Sequence, residues 1–140
     1  MSSAPDLPGD LLALAREDLA AAEALDRAER VSDAPVGFHA QQAVEKALKA
    51  AIASRDLEFP FTHDVGLLMQ LGQDAGLELP TDLAEADRLS PYAAAVRYGL
   101  GDPGAVATRD ALRWAALAIE WVDAELRPPD DSGKAGQNDS

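Results

Sequence analysis

The stretch that decides the fold is VGFHAQQAVEKALKAA, which spans residues 36–51. Its apolar residues recur at intervals of three and four, the spacing of one buried face of an α-helix. They are Val36, Ala40, Ala43, Val44, Ala47, Leu48 and Ala51. The chain is rich in alanine and leucine and only 5% aromatic, so its composition favours helix over sheet. The stretch therefore predicts a long helix that contributes to an all-α core.

Four other segments have helical patterning and are separated by proline and glycine. With the helix that starts near Pro35 and ends before Glu58, they predict five helices. The four other ranges are about 10–30, 62–75, 82–97 and 105–126. Asp10 is a candidate cap of the first helix, Gly76 is the expected stop of the third, and the Ser90-Pro91 step is expected to bend or break the fourth. The simplest architecture is an antiparallel, up-and-down four- or five-helix bundle.

The domain boundaries follow from the same proline and glycine positions. Residues 1–9 are predicted to be a flexible N-terminus, residues 10–127 a single helical bundle, and residues 128–140 a disordered polar tail. The N-terminus does not resemble a secretory signal, and charges interrupt every apolar run before it reaches the length of a membrane span. A cytoplasmic protein without membrane contact is therefore expected.

Composition also limits the chemistry. The net charge is −13, from 25 acidic and 12 basic residues, so the surface as a whole repels phosphate backbones. Any nucleotide or RNA contact must use a local basic patch. There are no cysteines, and no Glu-x-x-His pair, phosphate-binding glycine loop or nucleophile elbow occurs. No metal and no cofactor are predicted.

The second helix has the most informative polar residues. His39, Gln42, Lys46 and Lys49 are spaced by three, four and three, so they share one face beside the apolar stripe. One interpretation is a solvated flank. The other is a row of donors for phosphate, with Glu45 nearby as an acceptor. The spacing alone is compatible with both.

Three other positions are candidates for function. Asp18 borders the buried face of the first helix, so it requires a partner, and Lys46 or Arg97 are the candidates. Arg97 and Tyr98 end the fourth helix, where guanidinium and ring can grip phosphate and stack on a base, or can complement the helix dipole and pack at the bundle edge. His63 follows a proline turn, where a corner role competes with catalysis.

The fifth helix has two tryptophans on one face. Trp114 and Trp121 are seven residues apart. Such a stripe is more typical of packing or of a subunit interface than of a cofactor site.

Together these segments resemble the HEPN family. The resemblance is carried by residues 15–22 in the first helix, 38–50 in the second, the Phe59-Pro60-Phe61-Thr62-His63-Asp64-Val65 turn, and Arg97-Tyr98. It covers about residues 10–126. It implies a helical bundle that commonly forms a homodimer, often beside a minimal nucleotidyltransferase, with some pairs acting as toxin and antitoxin.

Many members of this family are metal-independent ribonucleases that use an Arg followed, four to six residues later, by a His. Arg97 resembles that Arg, but no histidine occurs after His63. Arginine stabilises charge but cannot move protons at neutral pH, so a nuclease would need His39 or His63 close to Arg97. The leading hypothesis is therefore a dimeric binding module for a nucleotide, an RNA-like ligand or a nucleotidyltransferase partner. Its expected ligand face joins the row on the second helix to the end of the fourth helix: His39, Gln42, Lys46, Lys49, Arg97 and Tyr98, with Asp18 and His63 in support. A ribonuclease toxin and a helical adaptor without ligand are the alternatives.

Overall fold

A computed structural model describes residues 6–29, 32–97 and 106–128, without the side chains of Val96 and Arg97. These residues form five α-helices and one 3₁₀ helix, and they include no strand. The α-helices are α1 (Leu7–Arg27), α2 (Asp33–Ala53), α3 (Val65–Asp74), α4 (Ser90–Arg97) and α5 (Thr108–Leu126), and the 3₁₀ helix is Thr81–Leu89. The prediction of an all-α bundle is confirmed.

Helix α2 lies at the centre of the bundle and contacts every other described helix. All seven residues of its predicted apolar stripe are buried. Burial extends beyond the stripe along one flank, because Gly37, Gln41 and Glu45 are buried as well. This wide burial explains why α2 carries small residues, which let α1 and α5 approach closely.

The ends of the helices differ from the predicted ranges for local reasons. The cap of α1 is Asp6, whose Oδ1 accepts a hydrogen bond from the Gly9 amide at 3.0 Å, so α1 begins three residues before Asp10. Residues 7–9, which the sequence pattern places in the N-terminal segment, form the first turn of α1. The predicted tail beyond Pro128 lies outside the described residues.

The bounds of the third and fourth helices also differ from the predicted ranges. Asp64 caps α3 by accepting from the Leu67 amide at 3.1 Å, so α3 starts after His63 rather than at it. The predicted stop at Gly76 is confirmed, because its φ of +90° is left-handed. The predicted break at Ser90 is also confirmed, since a 3₁₀ helix precedes it and an α-helix follows.

One close approach fixes α4 on α2. A Cβ added to Gly37 would lie 2.3 Å from ring atoms of the buried Tyr92. Glycine at this position lets the tyrosine ring lie directly on the α2 backbone. Helix α4 is thereby held against the N-terminal part of α2, where the site described next begins.

Candidate functional site

Asp18 joins two members of the predicted row on α2. Its Oδ1 lies 3.1 Å from His39 Nδ1, and its Oδ2 accepts a hydrogen bond from Lys46 Nζ at 2.5 Å. The sequence names Lys46 as one candidate partner for Asp18, and the structure gives this pairing. We call Asp18, His39 and Lys46 the Asp18 cluster. It lies on the interface of α1 with α2.

The Asp18 cluster is accessible from solvent. The side chains of His39 and Lys46 are 32% and 25% exposed, whereas that of Asp18 is 14% exposed. A lysine ammonium has three donors, and within the described residues Lys46 uses one of them, on Asp18. Because an ionised carboxylate only accepts, His39 Nδ1 must carry the hydrogen that faces Asp18. The cluster therefore presents ammonium donors and imidazole Nε2 outward.

A second polar cluster surrounds Glu45, on the face of α2 next to the Asp18 cluster. Its Oε2 accepts from Lys49 Nζ at 2.8 Å, and its Oε1 accepts from Gln41 Nε2 at 2.8 Å and lies 2.9 Å from His63 Nδ1. The Gln41 amide also donates to the His63 carbonyl at 3.1 Å, and Gln42 donates to Gln41 Oε1 at 2.6 Å. We call Gln41, Glu45, Lys49 and His63 the Glu45 cluster.

The ionisation of Glu45 reflects this environment. Burial raises the pKa of the Glu45 carboxyl, but hydrogen bonds from Lys49, Gln41 and His63, with the charge of Lys49, outweigh it. The pKa therefore lies below its ordinary value of 4.5. Glu45 is consequently an anion at neutral pH, which neutralises Lys49 and makes His63 Nδ1 a donor.

The Glu45 cluster holds the chain that leads into α3. Both the ring and the backbone carbonyl of His63 bind to α2, and Lys49 Nζ lies 5.4 Å from the centre of the Phe59 ring. This geometry corresponds to the corner role considered for His63. Gln41 was not singled out by sequence reasoning, although a polar residue within the apolar stripe is a signal that it needs buried partners.

The two clusters divide the predicted row. His39 and Lys46 belong to the Asp18 cluster, Lys49 belongs to the Glu45 cluster, and Gln42 connects the row to Gln41. Each lysine is paired with a carboxylate, so the positive charge of the row is partly balanced. Sequence spacing could not show this, because Asp18 comes from another helix.

The predicted roles of Arg97 and Tyr98 concern side chains outside the described part of the structure. Arg97 is the last residue of α4, its side chain is outside the described part, and Tyr98 lies outside the described residues. The expectation that they join the row on α2 stays a prediction. Trp114 is buried at 4% exposure, with Arg88 5.7 Å from its ring, which agrees with the packing interpretation, and a subunit contact through the tryptophans stays a prediction.

A separate recess of about 540 Å³ lies at the other end of α2. Three arginines line it, and carboxylates already engage them: Arg16 and Arg127 bind Asp123 at 2.8 and 2.7 Å, and Arg55 lies 3.5 Å from Glu125. The hydrogen bonds from Arg127 and Arg16 lower the pKa of Asp123 below its ordinary value. Sequence reasoning did not identify this recess, because its residues come from α1, from α5 and from the segment that follows α2.

The described residues contain no group of three acidic or histidine side chains arranged for a metal ion. Nor does any helix among them have the length and apolarity needed to cross a bilayer.

Comparison with known proteins identifies the family. The HEPN domain model matches residues 9–125, and the chain therefore belongs to the HEPN family. The fold is similar to the crystal structure of TT1696 from Thermus thermophilus, with a TM-score of 0.66 and 28% sequence identity. That similarity covers 87% of this chain and 100% of TT1696. No curated protein sequence matches the chain.

Proposed function

We propose that this HEPN domain is a binding module for a phosphate-bearing ligand of the nucleotide or RNA type, held at the Asp18 cluster. The observation that carries the proposal is that His39 and Lys46 share one carboxylate while both remain accessible to solvent. A fixed imidazole and a fixed ammonium side by side are complementary to phosphate oxygens. Gln42, Arg97 and Tyr98 are proposed to extend the same face.

The Glu45 cluster has a supporting role in this proposal. Glu45 has three side-chain hydrogen-bond partners, whereas Asp18 has two. Lys49 is only 12% exposed. Glu45, Lys49 and His63 are therefore proposed to fix the position of α2 and of the loop that leads into α3. A rigid supporting network lowers the ordering cost of binding at the neighbouring residues.

Calorimetric titration of ATP and AMP at low salt tests this function. Lys46→Ala is expected to weaken binding about ten-fold, because it removes a charge-assisted hydrogen bond. Arg109→Ala is the matched control: it also removes one positive charge, from a side chain on α5 that is 91% exposed, and is expected to change affinity less than about two-fold. Absence of binding by the wild type, or equal losses in both variants, would overturn the proposal.

The ribonuclease alternative is favoured by one specific observation, the Asp18–His39 pair. A carboxylate on Nδ1 orients the imidazole so that Nε2 can accept a proton from a 2′-hydroxyl. In this reading Arg97 stabilises phosphate charge, and His63 is the other candidate acid or base. Cleavage of RNA in the presence of a chelator, and loss of growth arrest in Arg97→Ala and His39→Gln, would support the enzyme. Intact RNA with and without divalent metal would exclude it.

We also propose that the domain forms a homodimer. The support is a pair of exposed leucines, Leu7 and Leu14, which are seven residues apart on one face of α1. Light scattering is expected to give twice the 14.7 kDa chain mass, and Leu14→Glu is expected to lower it to one chain. A wild-type monomer at all concentrations would contradict this.

A nucleotidyltransferase is the proposed protein partner, on the basis of family membership. Co-expression with a minimal nucleotidyltransferase, followed by copurification, tests the pairing. Failure to copurify would leave the ligand proposal unaffected and would remove the partner.

A further inference from the structure

Phe61 is the most exposed large apolar side chain of the described residues. Its side chain is 99% exposed, in the loop between α2 and α3. Phe59, two residues earlier in the same loop, instead packs against the core beneath Lys49. One ring of this loop is thus used for packing while the other is presented to water. A fully exposed phenyl ring contributes no burial to the core, so it is available for contact with a ligand.

The surroundings of Phe61 favour a small flat ligand over a protein surface. The other exposed apolar side chain of the loop is Leu57, which is 46% exposed and lies four residues before Phe61; Glu58, Pro60, Thr62 and Asp64 add no further large apolar side chain. A stable protein interface requires about 800 Å² from each partner with an apolar centre, which one ring does not supply. One ring is sufficient to stack a nucleobase.

The position of Phe61 relates it to the proposed ligand face. The Phe61 ring lies edge-on to the His63 ring, with 6.1 Å between their centres, and His63 is bound to Glu45. Glu45 and Lys46 are consecutive on α2, so their side chains point about 100° apart. On a helix 10–12 Å in diameter this corresponds to a strip about 10 Å wide. Phe61 contacts His63 on the Glu45 side of this strip, and the Asp18 cluster lies on the other side.

The strip itself is polar. By the same helical spacing, Gln42 and Lys49 lie within it. A nucleotide that lies across α2 would find hydrogen-bond donors for its phosphate at His39 and Lys46. It would then pass the Gln42 amide and the Lys49 ammonium and reach the Phe61 ring on the far side.

We propose that Phe61 stacks on the base of a nucleotide whose phosphate binds the Asp18 cluster, and this inference rests on the proposed function. It assigns the ligand class: a nucleotide with an accessible base, either free or as an unpaired nucleotide of RNA. An inorganic phosphate or a base-paired duplex does not satisfy the site. Phe61 thereby supplies the affinity that a chain of net charge −13 cannot obtain from general electrostatics.

Titration of AMP and of ribose 5-phosphate into the full chain separates the base from the phosphate. Wild type is expected to bind AMP about ten-fold more tightly than ribose 5-phosphate. Phe61→Ala is expected to remove that difference without weakening ribose 5-phosphate, and Phe61→Tyr to keep it. Leu67→Ala, which truncates another exposed apolar side chain, is the control and should leave both affinities unchanged.

The outcomes distinguish base stacking by Phe61 from the proposed phosphate binding on which it rests. If AMP and ribose 5-phosphate bind wild type equally, stacking fails while phosphate binding stands; if neither binds, both fail. If Phe61→Ala changes the particle mass in light scattering but not the affinity for AMP, the ring is a protein contact and the inference is overturned. A single-stranded oligoadenylate that binds more tightly than AMP, with the same loss in Phe61→Ala, supports RNA as the source of the base.

Discussion

Asp18 and His39 are joined across the interface of α1 with α2, with 3.1 Å between Oδ1 and Nδ1. This contact fixes which ring nitrogen faces the protein, because a carboxylate can only accept. It also couples the imidazole to Lys46, which binds the other oxygen of Asp18. Asp18 of α1 therefore positions both His39 and Lys46, which lie two turns apart on α2.

The first prediction concerns the tautomer of His39. In its neutral form, His39 is expected to carry its hydrogen on Nδ1, and in Asp18→Ala this preference is expected to disappear. Nitrogen-15 NMR of the imidazole rings measures the tautomer directly. A neutral His39 protonated on Nε2 in the wild type would show that Asp18 does not orient the ring.

The second prediction concerns Glu45 and pH. Because its native pKa lies below the ordinary value of 4.5, the ionised carboxylate contributes stability that is fully present above pH 4.5. This contribution is lost as the pH falls through the lower native pKa. Glu45→Gln is expected to reduce the free energy of unfolding by about 1–2 kcal/mol at pH 7, and by progressively less below pH 4.5.

Urea unfolding between pH 7 and pH 3 measures this effect. Glu120→Gln, which alters an exposed residue of α5, is the control and should show no such convergence. A gap between wild type and Glu45→Gln that stays constant or widens on acidification would contradict the assignment of the pKa shift.

The third prediction concerns Gly37. Alanine in a helix interior normally gains about 1 kcal/mol over glycine, but a Cβ here would meet the Tyr92 ring at 2.3 Å. Overpacking of this kind costs about 1–3 kcal/mol, so Gly37→Ala is expected to destabilise the chain. Tyr92→Leu in the same chain should recover part of the loss.

Chemical denaturation of the variants provides the readout for Gly37. Gly72→Ala is the matched control, because a Cβ at that position would make an ordinary contact at 3.4 Å with Leu77. A Gly37→Ala variant at least as stable as wild type would show that α4 does not need this close approach.

Local patterns made the fold predictable. The apolar spacing on α2, the glycine after α3 and the Ser90-Pro91 step each act over a few residues, and all three have the predicted consequences. The start of α1 was missed because both Asp6 and Asp10 are suitable caps, and the choice depends on the backbone that precedes them.

The site was only partly predictable, because it depends on contacts between helices. The spacing of His39 and Lys46 placed them on one face, but their shared partner comes from α1. Burial of Trp114 depends on how α5 packs, which a seven-residue interval does not reveal. The exposure of Phe61 is likewise a tertiary property, since the sequence treats Phe59 and Phe61 alike.

The Asp18 cluster and the recess at the C-terminal end of α2 both bring cations together, and one measurement decides between them. Amide and imidazole NMR during an AMP titration reports where the ligand binds. The account predicts saturable shifts that are largest at His39, Gln42 and Lys46 and that disappear in Lys46→Ala. Shifts concentrated at Arg55 and Arg127, in the recess at the opposite end of α2, would contradict it.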